Sequence, residues 1–204
     1  MAKRSRQWIR GHERDPFVRK ARQSEFRSRA VFKLLEIDQH DRLFRPGQIV
    51  FDLGAAPGSW SQYAMRRVGD KGRVIAVDVL PMPPIRRVEF VQSDLADVTT
   101  FARCMELLQG ARADLVISDA APNLTGVRAT DQAHSMQLAE VVCDFACQVL
   151  RPGGDLLIKL FQGQGTEEFR MELMERFQRV MNRKPRASHD ASREFYVLAR
   201  GYEV

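Results

Sequence analysis

The chain has 204 residues, 44% hydrophobic and 28% charged, with a formal net charge of +6. That is enough chain for one globular domain with a real core. No stretch approaches the roughly 20 consecutive apolar residues of a membrane-spanning helix, and no apolar run follows the basic start MAKRSRQWIR to make a secretory signal.

Three cysteines (Cys104, Cys143, Cys147) read as free thiols of a reducing, cytoplasmic compartment, not as a disulfide framework. Four scattered histidines (His12, His40, His134, His189) pair with no cysteine at zinc-ligand spacing, so no metal is expected. The charge is local. Residues 1–33 hold eleven Lys and Arg against three acids, a surplus of eight, which leaves the other 171 residues at −2. Such a cluster attracts polyanions by releasing their counterions. Trp8, Phe17 and Phe26 interleave with the arginines and offer stacking surfaces. A flexible RNA-binding arm is therefore expected over residues 1–23, ahead of a globular domain over 24–204.

In chain order, RAVFKLLEID reads as a helix with Val31, Leu34, Leu35 and Asp38 on one stripe. From residue 48 onward, strands are expected at 48–53, 73–79, 88–92, 113–118 and 155–161. Helices are expected at 59–68, 97–108, 131–150 and 166–180. In the third of these, Leu138, Val141, Val142, Phe145, Val149 and Leu150 share one face, and Arg151-Pro152-Gly153-Gly154 stops it. Alternating strands and helices predict a mostly parallel sheet covered on both faces. Segments 184–186 and 194–200 look like two strands without a helix between them, a terminal antiparallel pairing.

Ligands of such sheets bind at the carboxyl ends of the strands. The first of these ends reads FDLGAAPGSWSQ. Asp52 closes the strand, Gly54 and Gly58 permit a tight turn, Pro57 stiffens it and Ser59 is placed to cap the next helix. This is neither GxGxxG nor a phosphate loop with its lysine. The proline also removes one of the amides that a pyrophosphate wants. A nucleoside ligand without phosphates, such as S-adenosylmethionine, suits the turn better. Asp78 ends the second strand where a carboxylate can accept both ribose hydroxyls of an adenosine, as nicotinamide enzymes also do. Asp94 ends the third, either facing an adenine amino group or capping a helix. Trp60 reads as core or as a cofactor contact.

Two more strands carry charges. Asp119 follows LVIS, and Lys159 interrupts LLIKLF, where a buried ammonium needs partners or a task. Lys33 and Glu194, taken singly, read as surface charges. The segments SRAVFKLLEID, VFDLGAAPGSWSQ, VIAVDVLPM, VQSDL, DLVISDAAPNLTG, LRPGGDLLIKLFQG and ASREFYVLARG, in this order over roughly residues 24–201, resemble the FtsJ/RrmJ family of ribose 2′-O-methyltransferases. The likeness is strongest to bacterial members that modify a uridine of 23S ribosomal RNA in the large ribosomal subunit.

The resemblance implies a Rossmann-like α/β methyltransferase domain with a seven-stranded sheet and an antiparallel last strand. It further implies a catalytic tetrad of Lys33, Asp119, Lys159 and Glu194, and S-adenosylmethionine contacts from Gly58, Trp60, Asp78, Asp94 and Asp119. The expected partner is ribosomal RNA, with no membrane, no metal and a monomeric enzyme. Competing readings are a tRNA or cap ribose methyltransferase, a non-catalytic ribosome-assembly factor and, more distantly, a nicotinamide oxidoreductase. The sequence leaves open whether Lys159 takes the proton of the ribose hydroxyl or steadies the developing alkoxide.

Overall fold

The computed structural model describes residues 21, 23–123, 125–188 and 192–203. Twelve elements follow one another: α1 (Val31–Asp41), β1 (Ile49–Leu53), α2 (Ser59–Val68), β2 (Arg73–Asp78), β3 (Val88–Gln92), α3 (Val98–Leu108), β4 (Ala113–Ser118), α4 (Arg128–Val149), β5 (Leu150–Phe161), α5 (Thr166–Arg176), β6 (Phe177–Arg183) and β7 (Glu194–Tyr202). The strands form one sheet in the order β3-β2-β1-β4-β5-β7-β6. β1 to β5 run parallel, and β7 pairs antiparallel with both β5 and β6.

Both faces are covered, and the side-chain alternation of the strands decides what each face receives. Val50, Val74, Leu115, Ile117, Leu157, Tyr196 and Leu198 pack against α1 and α2. Their neighbours Phe51, Ile75, Val116, Leu156, Ile158 and Val197 pack against α3, α4 and α5. Phe145 of α4 meets Phe51 edge to face, with centroids 5.3 Å apart, a geometry worth about 0.5–1.5 kcal/mol beyond its buried area. This double coverage is why the strands read as continuous apolar runs.

The predicted elements reappear with shifted boundaries. Asp97 caps α3 as expected of a short acid at an N-cap, its side chain accepting from Thr99 N. Helix α4 stops at Val149 before the Pro-Gly-Gly turn, but that turn belongs to β5, where the register with β4 slips between Ala113 and Leu115. The helix expected to run through 180 ends at Arg176. Residues 177–183 pair with β7, and the strand expected at 184–186 lies beyond β6. The reason is tertiary: Phe177 is 2% exposed and packs on Tyr202 of β7, so burial on the open edge of the sheet outweighs helical continuation. The basic arm expected over 1–23 lies almost wholly outside the described residues. No helix among the described residues is long and apolar enough to cross a membrane.

Candidate active site

The chain leaves β1 for β2 and β3 on one side of the sheet and returns to β4 and β5 on the other. A crevice opens at such a reversal, above the carboxyl ends of the strands. The loops after β1 and β4 border it and touch: a Cβ on Gly54 would stand 2.6 Å from Ala120 Cβ, and Gly54 has a φ of +76°. Only glycine permits that approach.

A cavity of about 520 Å³ lies here, lined among others by Gly54, Ala56, Asp78, Asp94, Asp119 and His134. Its size is that of a small-molecule site. Asp78 fastens its rim, with Oδ2 accepting from Ala56 N at 2.8 Å and Oδ1 from Leu80 N at 2.8 Å. Each oxygen keeps a second lone pair for a ligand. Asp94 is exposed and accepts from Ala96 N at 2.9 Å, while the cap of α3 comes from Asp97. Gly58 is the left-handed N-cap of α2, and a Cβ there would meet Met82 and Ile85 side chains at 2.7 Å. Trp60 does not line the cavity. Its ring is buried beside Tyr196, and its indole N–H donates to Ala30 O at 2.9 Å.

The four charged residues singled out from the sequence converge. Lys33 Nζ lies 2.6 Å from Glu194 Oε1, and Lys159 Nζ lies 3.0 Å from Asp119 Oδ1. Lys159 shares the α1/α2 face of β5 with Leu157 two residues before it, and its side chain is 7% exposed. It also donates to Asp119 O at 2.5 Å. Directly across the ladder stands Tyr196, whose hydroxyl donates to Asp119 Oδ1 at 2.6 Å. Glu194 lies two positions earlier on β7, facing the same way, and Lys33 comes down from the first turn of α1 to meet it. Burial raises the Glu194 carboxyl, but the hydrogen bond and charge of Lys33 outweigh it and hold it below the usual range. Burial, then the negative charge of Asp119, push Tyr196 well above an ordinary phenol. The tyrosine is therefore a fixed donor. Two ammonium groups and two carboxylates thus balance as two ion pairs, of which Asp119 alone lines the cavity.

Two contributors were not singled out, and a third, Asp52, reads in the sequence only as closing its strand. Tyr196, inside REFYV, is an ordinary strand tyrosine in the sequence, and only the contact of its hydroxyl with Asp119 gives it a place in the site. Arg27 counted only towards the basic surplus, yet its guanidinium donates to Pro57 O (3.0 Å), Pro83 O (2.7 Å) and Pro84 O (2.8 Å). It clamps the turn before α2 to the loop after β2, and nothing local in the sequence announces that. Asp52 is fully buried under the turn. Ser61 Oγ donates to its Oδ2 at 2.5 Å, and Oδ1 has no hydrogen-bond partner among the described residues. Burial first, then the charges of Asp119 and Asp78, push its carboxyl up to about 7 against the hydrogen bond from Ser61.

An FtsJ-like methyltransferase family model matches residues 26–202. The chain belongs to the FtsJ-like methyltransferase family. Curated relatives named ribosomal RNA large subunit methyltransferase E are 51% identical: one from Marinobacter nauticus over 100% of this chain and 98% of its own length, another from Pseudomonas aeruginosa over 98% and 97%. Among solved structures, a Plasmodium falciparum protein described as a ribosomal RNA methyltransferase superposes with a TM-score of 0.80 at 29% identity, over 87% of this chain and 98% of that one. A Clostridium thermocellum chain described as an rRNA methylase shares the fold at TM-score 0.53 and 14% identity, over 83% and 97%. As an FtsJ-like methyltransferase, the chain has a Rossmann-like seven-stranded sheet whose last strand, β7, is antiparallel to both neighbours, as expected from its sequence. Among the described residues, no group of three or more His, Cys, Asp or Glu stands together as a metal site.

Proposed function

We propose that this FtsJ-like methyltransferase transfers a methyl group from S-adenosylmethionine to the ribose 2′-hydroxyl of a uridine in 23S ribosomal RNA, in the cytoplasm and as a monomer. The observation that carries the reading is the meeting of Lys33, Asp119, Lys159 and Glu194, distant in sequence, as two ion pairs at 2.6 and 3.0 Å beside a nucleoside-sized cavity. The names of relatives half identical over their whole length support the ribosomal substrate.

The residues present fit the cofactor. Carboxylates stand at three successive strand ends, and Gly54 leaves its loop no room for a side chain. Asp78 would take the ribose hydroxyls, Asp94 the adenine amino group and Asp119 the amino-acid end, with Gly58 and Trp60 shaping the turn above. When bound, S-adenosylmethionine supplies a methyl group made electrophilic by its sulfonium. What the protein must add is a ready nucleophile, because a ribose hydroxyl is barely ionised at neutral pH. Lys159 is held by Asp119 where, as an ammonium, it can steady the oxygen's growing charge, or, only in its neutral amine form, take that proton, and Tyr196 fixes Asp119 in turn. Lys33 and Glu194 position the ribose for in-line attack, and positioning alone is worth several kcal/mol.

Lys159→Ala tests the assignment. The expected result is loss of methyl transfer into large-subunit RNA, with S-adenosylmethionine affinity by calorimetry within a few-fold of the wild type. Transfer at the wild-type rate would remove Lys159 from the reaction.

A further inference from the structure

Away from the cavity, where α1 and α2 end, a groove of about 550 Å³ is lined by Asp41, Arg42, Phe44, Arg45, Arg67 and Arg200. Four guanidinium groups against one carboxylate is a strongly positive lining, and two of the four are already balanced. Arg67 Nε lies 3.0 Å from Asp38, and Arg200 Nε lies 3.1 Å from Asp155. Asp41 faces Arg183 through two hydrogen bonds, of 2.6 and 2.7 Å. Burial raises the Asp41 carboxyl, but Arg183 and His40 outweigh it and keep it below its usual range.

Arg42 and Arg45 remain. Both are exposed, and neither reaches a carboxylate among the described residues. Arg42 closes α1 in the left-handed region, at φ 52°, which a non-glycine residue adopts only when its surroundings hold it there. The wall beneath is rigid. Asp38, 3% exposed, accepts from Leu43 N at 2.8 Å, from Phe44 N at 3.2 Å and from the Tyr63 hydroxyl at 2.7 Å, besides holding Arg67. Two unbalanced guanidinium groups thus stand on a fixed frame, the arrangement that favours paired hydrogen bonds to phosphate oxygens.

We infer that this groove is a second RNA-binding site, where Arg42 and Arg45 hold backbone phosphates of the acceptor RNA away from the reacting nucleotide. Its place relative to the tetrad supports this. Lys33 opens α1 and Arg42 closes it, nine residues and therefore about 14 Å further along the helix axis. At the end of α2, Arg66, stacked over Phe26, and Arg67, paired with Asp38, are also exposed. A strand threaded past Lys33 along this face would meet Arg42 and Arg45 as its next anchor. Phosphate contacts of this kind fix register and carry no sequence preference. The inference rests on the proposed RNA substrate.

The test compares wild type with Arg42→Gln/Arg45→Gln and with the conservative Arg42→Lys/Arg45→Lys. RNA binding is followed across 50–300 mM salt, with one fragment that carries the acceptor nucleotide and one of equal length that does not. For the glutamine pair, affinity should fall about tenfold for both fragments and the salt slope should drop by about 1.5 to 2. KM for RNA should rise, while kcat at saturating RNA and calorimetric affinity for S-adenosylmethionine stay within twofold. The lysine pair should recover most of the binding. Unchanged affinity and slope in a folded glutamine pair would overturn the groove, as would a loss of cofactor affinity, which would mark a structural role. If the wild type binds RNA but methylates none, the proposed reaction fails, and the salt slopes still decide the groove.

Discussion

A lysine inside an apolar strand is expensive to bury unless its charge is met, and Lys159 meets Asp119 at 3.0 Å with Tyr196 behind it. Tyr196→Phe removes one donor from Asp119 and leaves the ring packed. Losing such a bond costs about 1–1.5 kcal/mol, so single-turnover methyl transfer should slow about tenfold with cofactor affinity little changed. An unaltered rate would make Tyr196 merely a core residue. Two buried carboxyls also set opposite pH trends. Asp52 is raised from 3.8 to about 7, so across that window the folded state keeps a proton that the unfolded chain has lost, and stability falls as pH rises. Glu194 is lowered; its contribution is full above the unfolded value of 4.5 and disappears as pH falls through the folded one. In urea titrations, Asp52→Asn should remove the decline between pH 4 and 7, and Glu194→Gln should change only the acid limb. Identical curves for Asp52→Asn and wild type would contradict the first assignment. Asp119 and Lys159 were legible as charges that do not belong on apolar strands, whereas Lys33, on α1, and Glu194 read singly as surface charges. Tyr196 was not legible, because a tyrosine on a strand is ordinary until its hydroxyl is seen to have a charged partner.

Elements were legible where local pattern and tertiary demand agree. β3, β4 and α2 fall where the sequence placed them, because short apolar runs and a 3.6-residue period each mark buried positions. They were not legible where the sheet edge decides. The run 177–183 continues an acceptable helix, but the open edge of β7 offers backbone hydrogen bonds and a seat for Phe177. The loops after β1 and β4 illustrate a packing constraint with a sharp test. Gly54→Ala would set a Cβ 2.6 Å from Ala120 Cβ at a φ of +76°. The expected outcome is a loss of about 1–3 kcal/mol of stability and a tenfold or greater loss of S-adenosylmethionine affinity. A variant that binds the cofactor normally would show that the two loops part without cost.

At the scale of the whole molecule, charge is divided unevenly. Residues 1–20 carry seven Lys and Arg against two acids, whereas Arg27 is taken up in holding three carbonyls at the cofactor turn. Deleting residues 1–20 should weaken RNA binding and flatten its salt dependence, with S-adenosylmethionine affinity preserved; unchanged binding and slope would leave the segment no part in recognition. The order of strands and helices, the glycine-proline turn and the charges at Asp119 and Lys159 were legible in the sequence alone, since hydrophobic period, turn chemistry and misplaced charge are local properties; Lys33 and Glu194 read singly as surface charges and were named only through the family resemblance. Only the tertiary structure decided that Lys33 meets Glu194 and Lys159 meets Asp119, that Arg27 serves a loop and that Arg42 and Arg45 reach no carboxylate among the described residues. Those outcomes depend on which side chains the sheet order and helix packing bring within a few ångströms, and no spacing along the chain encodes that distance.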